Sequence, residues 1–502
     1  MLQLPVANHL TTSTTPTIPA KIFSMRWRDL QHLDAKQPLS PDTFGSVSHW
    51  HIVGAGGIGM SALGHVLLAR GKTVSGSDAG RNAQTQALEN AGATIFQGHD
   101  ARHIAGAGAL VVSSAIGEDN PEIVAARAAG VPVYHRSQLL AALSDGARVS
   151  VAVSGTHGKS TTSAMIGHIL HTIGANPTAI LGAVYPPFGA NVRVGDPDLV
   201  VVEADESDGS FTLLHPTVAV ILNVEPEHLE NYDDDPQTLW RAFHAFAAQG
   251  QKSVLNGDAG LRRSPFKDDP FALFYSFTSG DLIARKIEAT PGATRFELFY
   301  GPASCGTFAL PVAGRHNVSN ALAAIGAVAQ ALGTRSPLQL GAYARALESF
   351  AGTLRRMERR GEAGGVVVVD DYGHHPTEVA ATLEALRDFY ARPLTVVFQP
   401  HRYSRTQQMG ADFGPCFESA DRVIVTELYS AFETPIAGVS GRLVFDAVQR
   451  ASPGKEVLWA PDLDAARALV LERARSGDLV VTMGAGDVTT LGPKILVGLR
   501  AA

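Results

Sequence analysis

Short apolar, β-branched runs alternate with helical patterns along most of the chain. HWHIV, TVSGSD, ALVV and VPVYH, between residues 49 and 135, are four predicted strands spaced by helices. This is the rhythm of βαβ units and of a parallel sheet. A second set begins at Arg148 with VSVAVSG, LVVVEAD and VAVILNV. Between 250 and 312 the alternation breaks, and KSVLNG, FALFYSF, ARKIEAT and RFELFY predict a more antiparallel patch. A helix is expected after GRHNVSN at 314–320. A third alternating set holds VVVVDDYG, LTVVFQP, DRVIVTELY, EVLWAP and DLVVTMGAG.

At 502 residues the chain is too long for one ordinary domain. Hydrophobic residues make up 45% and charged residues 18%, a composition that fits large buried sheets. The net charge of −7 is spread over interspersed signs, which argues against a nucleic-acid or membrane surface. No apolar run of about 18 residues predicts membrane insertion. Two cysteines, Cys305 and Cys416, are too few for a disulfide framework, and a reducing cytoplasm is the expected location. A monomer or homodimer is expected. The Ser/Thr/Pro-rich TTSTTPTIPAK marks residues 1–46 as a poorly ordered extension.

Two glycine turns follow strands and open helices. GAGGIG at Gly54–Gly59 lets a diphosphate approach backbone amides at a helix N-terminus, and Asp78 at the next strand end suits a ribose hydroxyl. The ligand class stays open between NAD and a nucleotide sugar. SGTHGKST lacks the first glycine of a full Walker A, because Val153 stands there, but keeps the G-T-x-G-K-S core. Gly155 and Gly158 shape a nest of amides, Lys159 reaches β/γ-phosphates, and the Ser160 hydroxyl suits Mg²⁺. Glu203, the first residue of EADESD after the apolar strand LVVV, is the candidate metal carboxylate, with Asp205, Glu206 and Asp208 as loop acids beside it. Asn223, Glu227 and His228 end the next strand at the same sheet edge. The fold class is therefore α/β with three domains in series. A Rossmann-like N-terminal domain spans 47–147, a central P-loop ATPase-type domain with a mostly parallel sheet spans 148–352, and a C-terminal Rossmann-like α/β domain spans 353–502.

The G-T-x-G-K-S loop, EADESD and N-x-x-x-E-H at successive strand ends together resemble the Mur ligase family, the ATP-dependent amide-forming enzymes of peptidoglycan precursor synthesis. GRHNVSNALAA, the segment from Gly352-Thr353 through Arg355-Arg356 to Gly361-Glu362, and DDYGHHPTE extend the resemblance from about residue 50 to the C-terminus. GAGGIGMSALG, EADESDGSF and FQPHRYSRT are most similar to the alanine-adding branch. LENYDDDPQTLWRAFHAF carries no lysine where other branches have a carbamylated one, which agrees with that branch. Three stretches depart from it: Arg136-Ser137-Gln138-Leu139-Leu140 stands for R-A-E-M-L, Pro226-Glu227 for Ala-Asp, and Met357-Glu358 for Phe-Asp.

The resemblance implies ligation of L-alanine to the lactoyl carboxylate of UDP-N-acetylmuramate through an acyl phosphate formed from ATP. Mg²⁺ is implied as one or two ions, with Mn²⁺ as a substitute. It implies Lys159, Glu203, His228 and His401 as catalytic residues, and Ser160, Glu203 and His228 as metal ligands. Gly155, Thr156, His157, Gly158, Lys159, Ser160, Thr161, His316, Asn317, Arg356 and Asp371 would hold ATP. Gly54, Gly56, Gly57, Ile58, Gly59, Asp78, Ser113 and Arg136 would hold the UDP-sugar. His401, Arg402, Arg405, Tyr372 and His374 would hold the amino acid, a guanidinium gripping its carboxylate. Arg355 or Arg356 would meet the nucleotide phosphates. A sister ligase that recycles an intact tripeptide is the near alternative. An NAD-dependent oxidoreductase leaves the Lys159 loop unexplained, and a nucleotide-binding regulatory module leaves HRYSR and DDYGHHP unexplained.

Overall fold

The computed structural model describes residues 39–261, 271–431 and 433–501. Residues 1–38 of the expected extension lie outside the described residues, while Pro41–Ser46 form a short helix whose first turn Ser40 caps at the Thr43 amide. The chain folds into three α/β domains, each built on its own sheet. The first sheet holds β1 (His49–Val53), β2 (Thr73–Asp78), β3 (Thr94–Gln97), β4 (Ala109–Val112) and β5 (Val133–His135), all parallel, in the order β3-β2-β1-β4-β5. The order reverses at β1, so the glycine turn after β1 and Ser113 after β4 flank the switch point where ligands bind such sheets.

The central sheet holds ten strands. They are β6 (Val149–Ser154), β7 (Pro177–Tyr185), β8 (Ala190–Arg193), β9 (Asp196–Glu203), β10 (Val218–Ile221), β11 (Lys252–Asn256), β12 (Ala272–Ser276), β13 (Leu282–Thr290), β14 (Ala293–Tyr300) and β15 (Ala303–Leu310). Their order is β15-β14-β13-β12-β11-β10-β6-β9-β7-β8. The expected antiparallel patch is narrower than its sequence pattern implied. β11 and β12 continue the parallel ladder from β10, and only β13–β15 form an antiparallel meander. β6, β9 and β10 lie side by side, which brings the phosphate loop, Glu203 and Asn223 to one edge.

The third sheet holds β16 (Glu358–Ala363), β17 (Val366–Asp371), β18 (Leu394–Phe398), β19 (Arg422–Thr426), β20 (Glu456–Ala460) and β21 (Leu479–Met483), ordered β16-β17-β21-β18-β19-β20. Gly364 and Gly365, at positive φ, turn the β16–β17 hairpin. Five strands escaped the sequence pattern: β3, β7, β8, β15 and β16. Four of them are sheet edges, where charge and polarity protect an unpaired ladder and erase the apolar signal; β16 reads ERRGEA.

One apolar core runs through the first two domains. It joins Trp50, Ile52 and Leu63 to Ile180, Val202, Phe211 and Phe243. The third domain has its own cores on the two faces of its sheet. Among the described residues, its seam with the central domain carries a small apolar cluster of Ala313, Ala385 and Phe389.

Candidate active site

Val149–Ser154 is buried from its second residue onward, so the strand delivers its loop rigidly to the sheet edge. Gly155 (φ 141°) and Gly158 (φ 88°) take backbone conformations that an L side chain rarely adopts, and Lys159 opens a helix running to Thr172. The Lys159 ammonium donates to the carbonyls of Gly155 (2.7 Å) and Thr156 (3.2 Å) and pairs with Glu206 Oε2 at 2.7 Å. Burial opposes its charge, but Glu206, Asp205 and Glu203 outweigh burial and raise its pKa. Burial pushes the Glu206 carboxyl up to about 7 against the pull of Lys159.

Glu203 accepts the Gly182 amide at 3.1 Å, and a Cβ on Gly182 would overlap its carboxylate. Burial raises the Glu203 pKa, with Lys159 and the Ser160 hydroxyl pulling the other way. His228 sits at φ 54° just beyond β10; burial lowers its pKa, but Glu230, Glu227 and Glu206 together raise it. Ser160, Glu203 and His228 face one cavity. A hydroxyl, a carboxylate and an imidazole seated beside the phosphate loop fit a divalent ion that keeps several waters.

The seam carries a charge network that sequence reasoning missed. His157 places Nδ1 3.2 Å from Glu378 Oε1 and Nε2 3.4 Å from Glu225 Oε2. Burial pulls its imidazole down, but these carboxylates hold it up at about 10. Glu378 also accepts the amides of His374 and His375 at the start of the helix Pro376–Tyr390, and Arg356 Nη1 lies 3.6 Å away. The S/T-type spacing from His375 to Glu378 was the available signal, since it forms a reciprocal cap. Arg355 differs from Arg356. Both guanidiniums lie over the Tyr372 ring, at 4.7 and 5.0 Å, but Arg355 alone donates to the carbonyls of Gly484 (2.8 Å) and Gly486 (3.1 Å) among the described residues, so it braces its own domain.

The other C-terminal candidates gather nearby. The His401 ring stacks on Tyr429 at 5.9 Å and lies 5.7 Å from His374, while Arg405 Nη1 lies 3.3 Å from its Nδ1. Burial, then Arg405 and Arg402, lower His401 to about 4; burial lowers His374 to about 3. Asp371 accepts the amides of Met357 and Gly373, each at 2.7 Å, and burial raises it to about 6. Burial and the nearby Arg356 lower His316 to about 4. Asn317 donates to the Ala313 carbonyl at 2.7 Å and accepts from Asn320 at 3.1 Å.

At the first glycine turn, Asp78 accepts the Gly56 amide at 2.8 Å and the Gly80 amide at 3.1 Å, so it braces the turn. A Cβ on Gly56 would meet Asn82 and Asp78 within 3 Å. Arg136 reaches across to Asp205 (3.1 Å) and Asp208 (3.6 Å), and Asp208 accepts from Ser114 at 2.8 Å. The loop acids Asp205, Glu206 and Asp208 are thus each paired with a basic side chain. Arg136 and Lys159 overcome burial to hold Asp205 at about 2.

Three cavities converge on these groups. One of about 440 Å³ is lined by residues 156–161, His316, Asn317, Arg356 and Asp371. Another of about 310 Å³ is lined by Gly57, Ile58, Gly59, Ser113 and Arg136, with Gly54, Gly56 and Asp78 outside its lining. The third, about 760 Å³, brings Ile58 from the first domain and Lys159, Ser160 and His228 from the second toward Arg356, Tyr372, His374, His401, Arg402 and Arg405 of the third. Glu203 borders all three.

Three family models match this chain: "Mur ligase family, catalytic domain" over residues 49–148, "Mur ligase middle domain" over 153–328, and "Mur ligase, glutamate ligase domain" over 355–486. A UDP-N-acetylmuramate–L-alanine ligase of Anaeromyxobacter dehalogenans is 42% identical over 455 residues, covering 90% of this chain and 97% of its own. One from Myxococcus xanthus is 41% identical over 455 residues, covering 90% and 95%. Among solved structures, a UDP-N-acetylmuramate-alanine ligase from Thermotoga maritima aligns with TM-score 0.78 and 28% identity, covering 90% of this chain and 99% of that one. A murein peptide ligase from Psychrobacter arcticus shares the fold, with TM-score 0.64 and 24% identity over 91% of this chain and 99% of that one.

Proposed function

The chain belongs to the Mur ligase family, and from that premise we infer that it joins L-alanine to the lactoyl carboxylate of UDP-N-acetylmuramate, converting ATP to ADP and phosphate. The observation that carries this reading is the position of Glu203, bordering three cavities that suit a nucleotide, a nucleotide sugar and a small amino acid. We assign ATP to the cavity of residues 156–161, the UDP moiety to the glycine turn at Gly54–Gly59, and L-alanine to the pocket of His401, Arg402 and Arg405. The three units at 47–147, 148–352 and 353–502 would each present one substrate.

A lactoyl carboxylate oxygen attacks the γ-phosphorus, the bond to the β,γ-bridging oxygen breaks, and ADP leaves. The alanine nitrogen then attacks the acyl carbon of the acyl phosphate, and the tetrahedral intermediate expels phosphate. Lys159 would exchange Glu206 and the loop carbonyls for phosphate oxygens, and Arg356 faces the same cavity from the opposite domain. Two anions must meet in the first step, so converging cations supply its main stabilisation. Ser160, Glu203 and His228 would hold Mg²⁺, which when bound neutralises phosphate charge. Arg405 or Arg402 would grip the alanine carboxylate, and the neutral His401 would accept from its amine. ATP and nucleotide sugars are cytoplasmic metabolites, and we place the enzyme there.

The test is phosphate release from ATP with Mg²⁺ and UDP-N-acetylmuramate, comparing L-alanine with an L-Ala-γ-D-Glu-diaminopimelate tripeptide. Release requiring the sugar nucleotide and L-alanine supports the assignment. Release with the tripeptide alone moves the chain to the recycling ligase, and release with neither removes the function.

A further inference from the structure

A second donor set lies at the seam, apart from Ser160, Glu203 and His228. His157, Glu227 and His375 each offer a ligand atom, and these atoms lie within 4.8 Å of one another. His375 Nε2 is 3.4 Å from Glu227 Oε1. Two ligands sharing a tetrahedral zinc ion at about 2.0–2.1 Å sit about 3.4 Å apart, so this pair already has coordination spacing. Glu227 Oε1 is buried without a hydrogen-bond donor, on a side chain only 9% exposed. A buried carboxylate oxygen left in that state calls for a cation.

The surroundings match the second layer of a metal site. The His157 ring has a carboxylate on each side, Glu378 at Nδ1 and Glu225 at Nε2. Whichever nitrogen ligates, the other retains a carboxylate partner that orients the ring. Metal at His375 Nε2 puts the ring proton on Nδ1, which gives up the acceptor side of the helix cap, a 3.4 Å contact with the Thr377 amide and the bond from the Glu378 amide, while Glu378 still accepts the His375 amide. Two imidazoles to one carboxylate make a nitrogen-rich set that favours a borderline d-block ion over Mg²⁺, whereas the single imidazole of His228 sits among oxygen donors.

We propose that His157, Glu227 and His375 form a binding site for a zinc-class divalent transition metal that ties the phosphate loop to the C-terminal domain. His157 belongs to the loop after β6, Glu227 to the loop after β10, and His375 caps the helix Pro376–Tyr390 of the C-terminal domain. The ion therefore spans a seam that is otherwise held by polar contacts and one small apolar cluster. This site does not depend on which amine the enzyme ligates.

The experiment uses the full chain, stripped of metal and titrated with Co²⁺ under excess Mg²⁺, reading visible d–d absorption. One equivalent is expected to bind with the intensity of a four- or five-coordinate site. H375Q and E227Q, with circular dichroism confirming the fold, should each weaken Co²⁺ at least about tenfold. E227D keeps the charge but withdraws the carboxylate by one methylene and should also weaken it. H228Q should retain the band, since His228 belongs to the other donor set. No Co²⁺ bound under excess Mg²⁺, binding indifferent to H375Q and E227Q, or binding lost in H228Q would each overturn the proposal.

Discussion

The His157 imidazole of the phosphate loop lies 3.2 Å from the Glu378 carboxylate, 221 residues later in the chain and in another domain. Between them these groups link the nucleotide loop to the domain that must close over it. In the metal-free protein E378A leaves a largely buried imidazolium without a main partner, a change that costs about 3 kcal/mol. The seam should loosen, so that amide formation falls while ATP hydrolysis without amide rises. A ratio of phosphate to amide equal to that of the wild type would contradict this. The pH dependence has a definite sign. Partners raise the His157 pKa to about 10 from 6.5, so its contribution is full below pH about 6.5 and is lost as pH rises toward 10. Melting temperature should fall over that window in the wild type and fall less in E378Q.

Glu122 supplies the opposite case in the first domain. It is fully buried, accepts from Ser77 Oγ at 2.6 Å, and meets His103 at 2.9 Å and His99 at 3.1 Å. Burial opposes its charge, but His51, Ser77, His103 and His99 hold it down at about 2. Its stabilisation, roughly 3 kcal/mol, is present above pH about 4.5 and is lost as pH falls toward 2. E122Q should flatten the acid limb of unfolding. Because the Ser77 carbonyl accepts the Gly54 and Ala55 amides, the variant should also raise KM for the sugar nucleotide more than it lowers kcat.

Gly182 is needed for the space it leaves. G182A would push its Cβ into the Glu203 carboxylate. Displacing a group at the centre of the chemistry by about 1 Å costs about 10²-fold in rate. Steady-state kinetics should show that loss with the far-ultraviolet dichroism unchanged, and the Mg²⁺ concentration needed for half-maximal rate should rise.

The paired arginines should separate cleanly. R356A removes a cation facing the nucleotide cavity and should lower kcat about 10²-fold with little change in melting temperature. R355A removes the brace on Gly484 and Gly486 and should lower the melting temperature instead. Equal effects of both variants on kcat would sink the distinction.

Local pattern decided much of this protein. Alternating apolar runs fixed the order of α/β units. Glycine spacing fixed both phosphate-type turns, and strand ends placed Glu203, His228 and Asp371 at sheet edges, because backbone conformation and side-chain period are short-range properties. Only the tertiary structure decided which charges meet. Lys159 with Glu206, Arg136 with Asp205, and His157 with Glu378 are set by how three sheets pack. So are the shared core of the first two domains and the polar seam of the third. The edge strands β3, β8, β15 and β16 were invisible for a related reason: their pairing is made by a neighbouring strand and not by their own apolar residues.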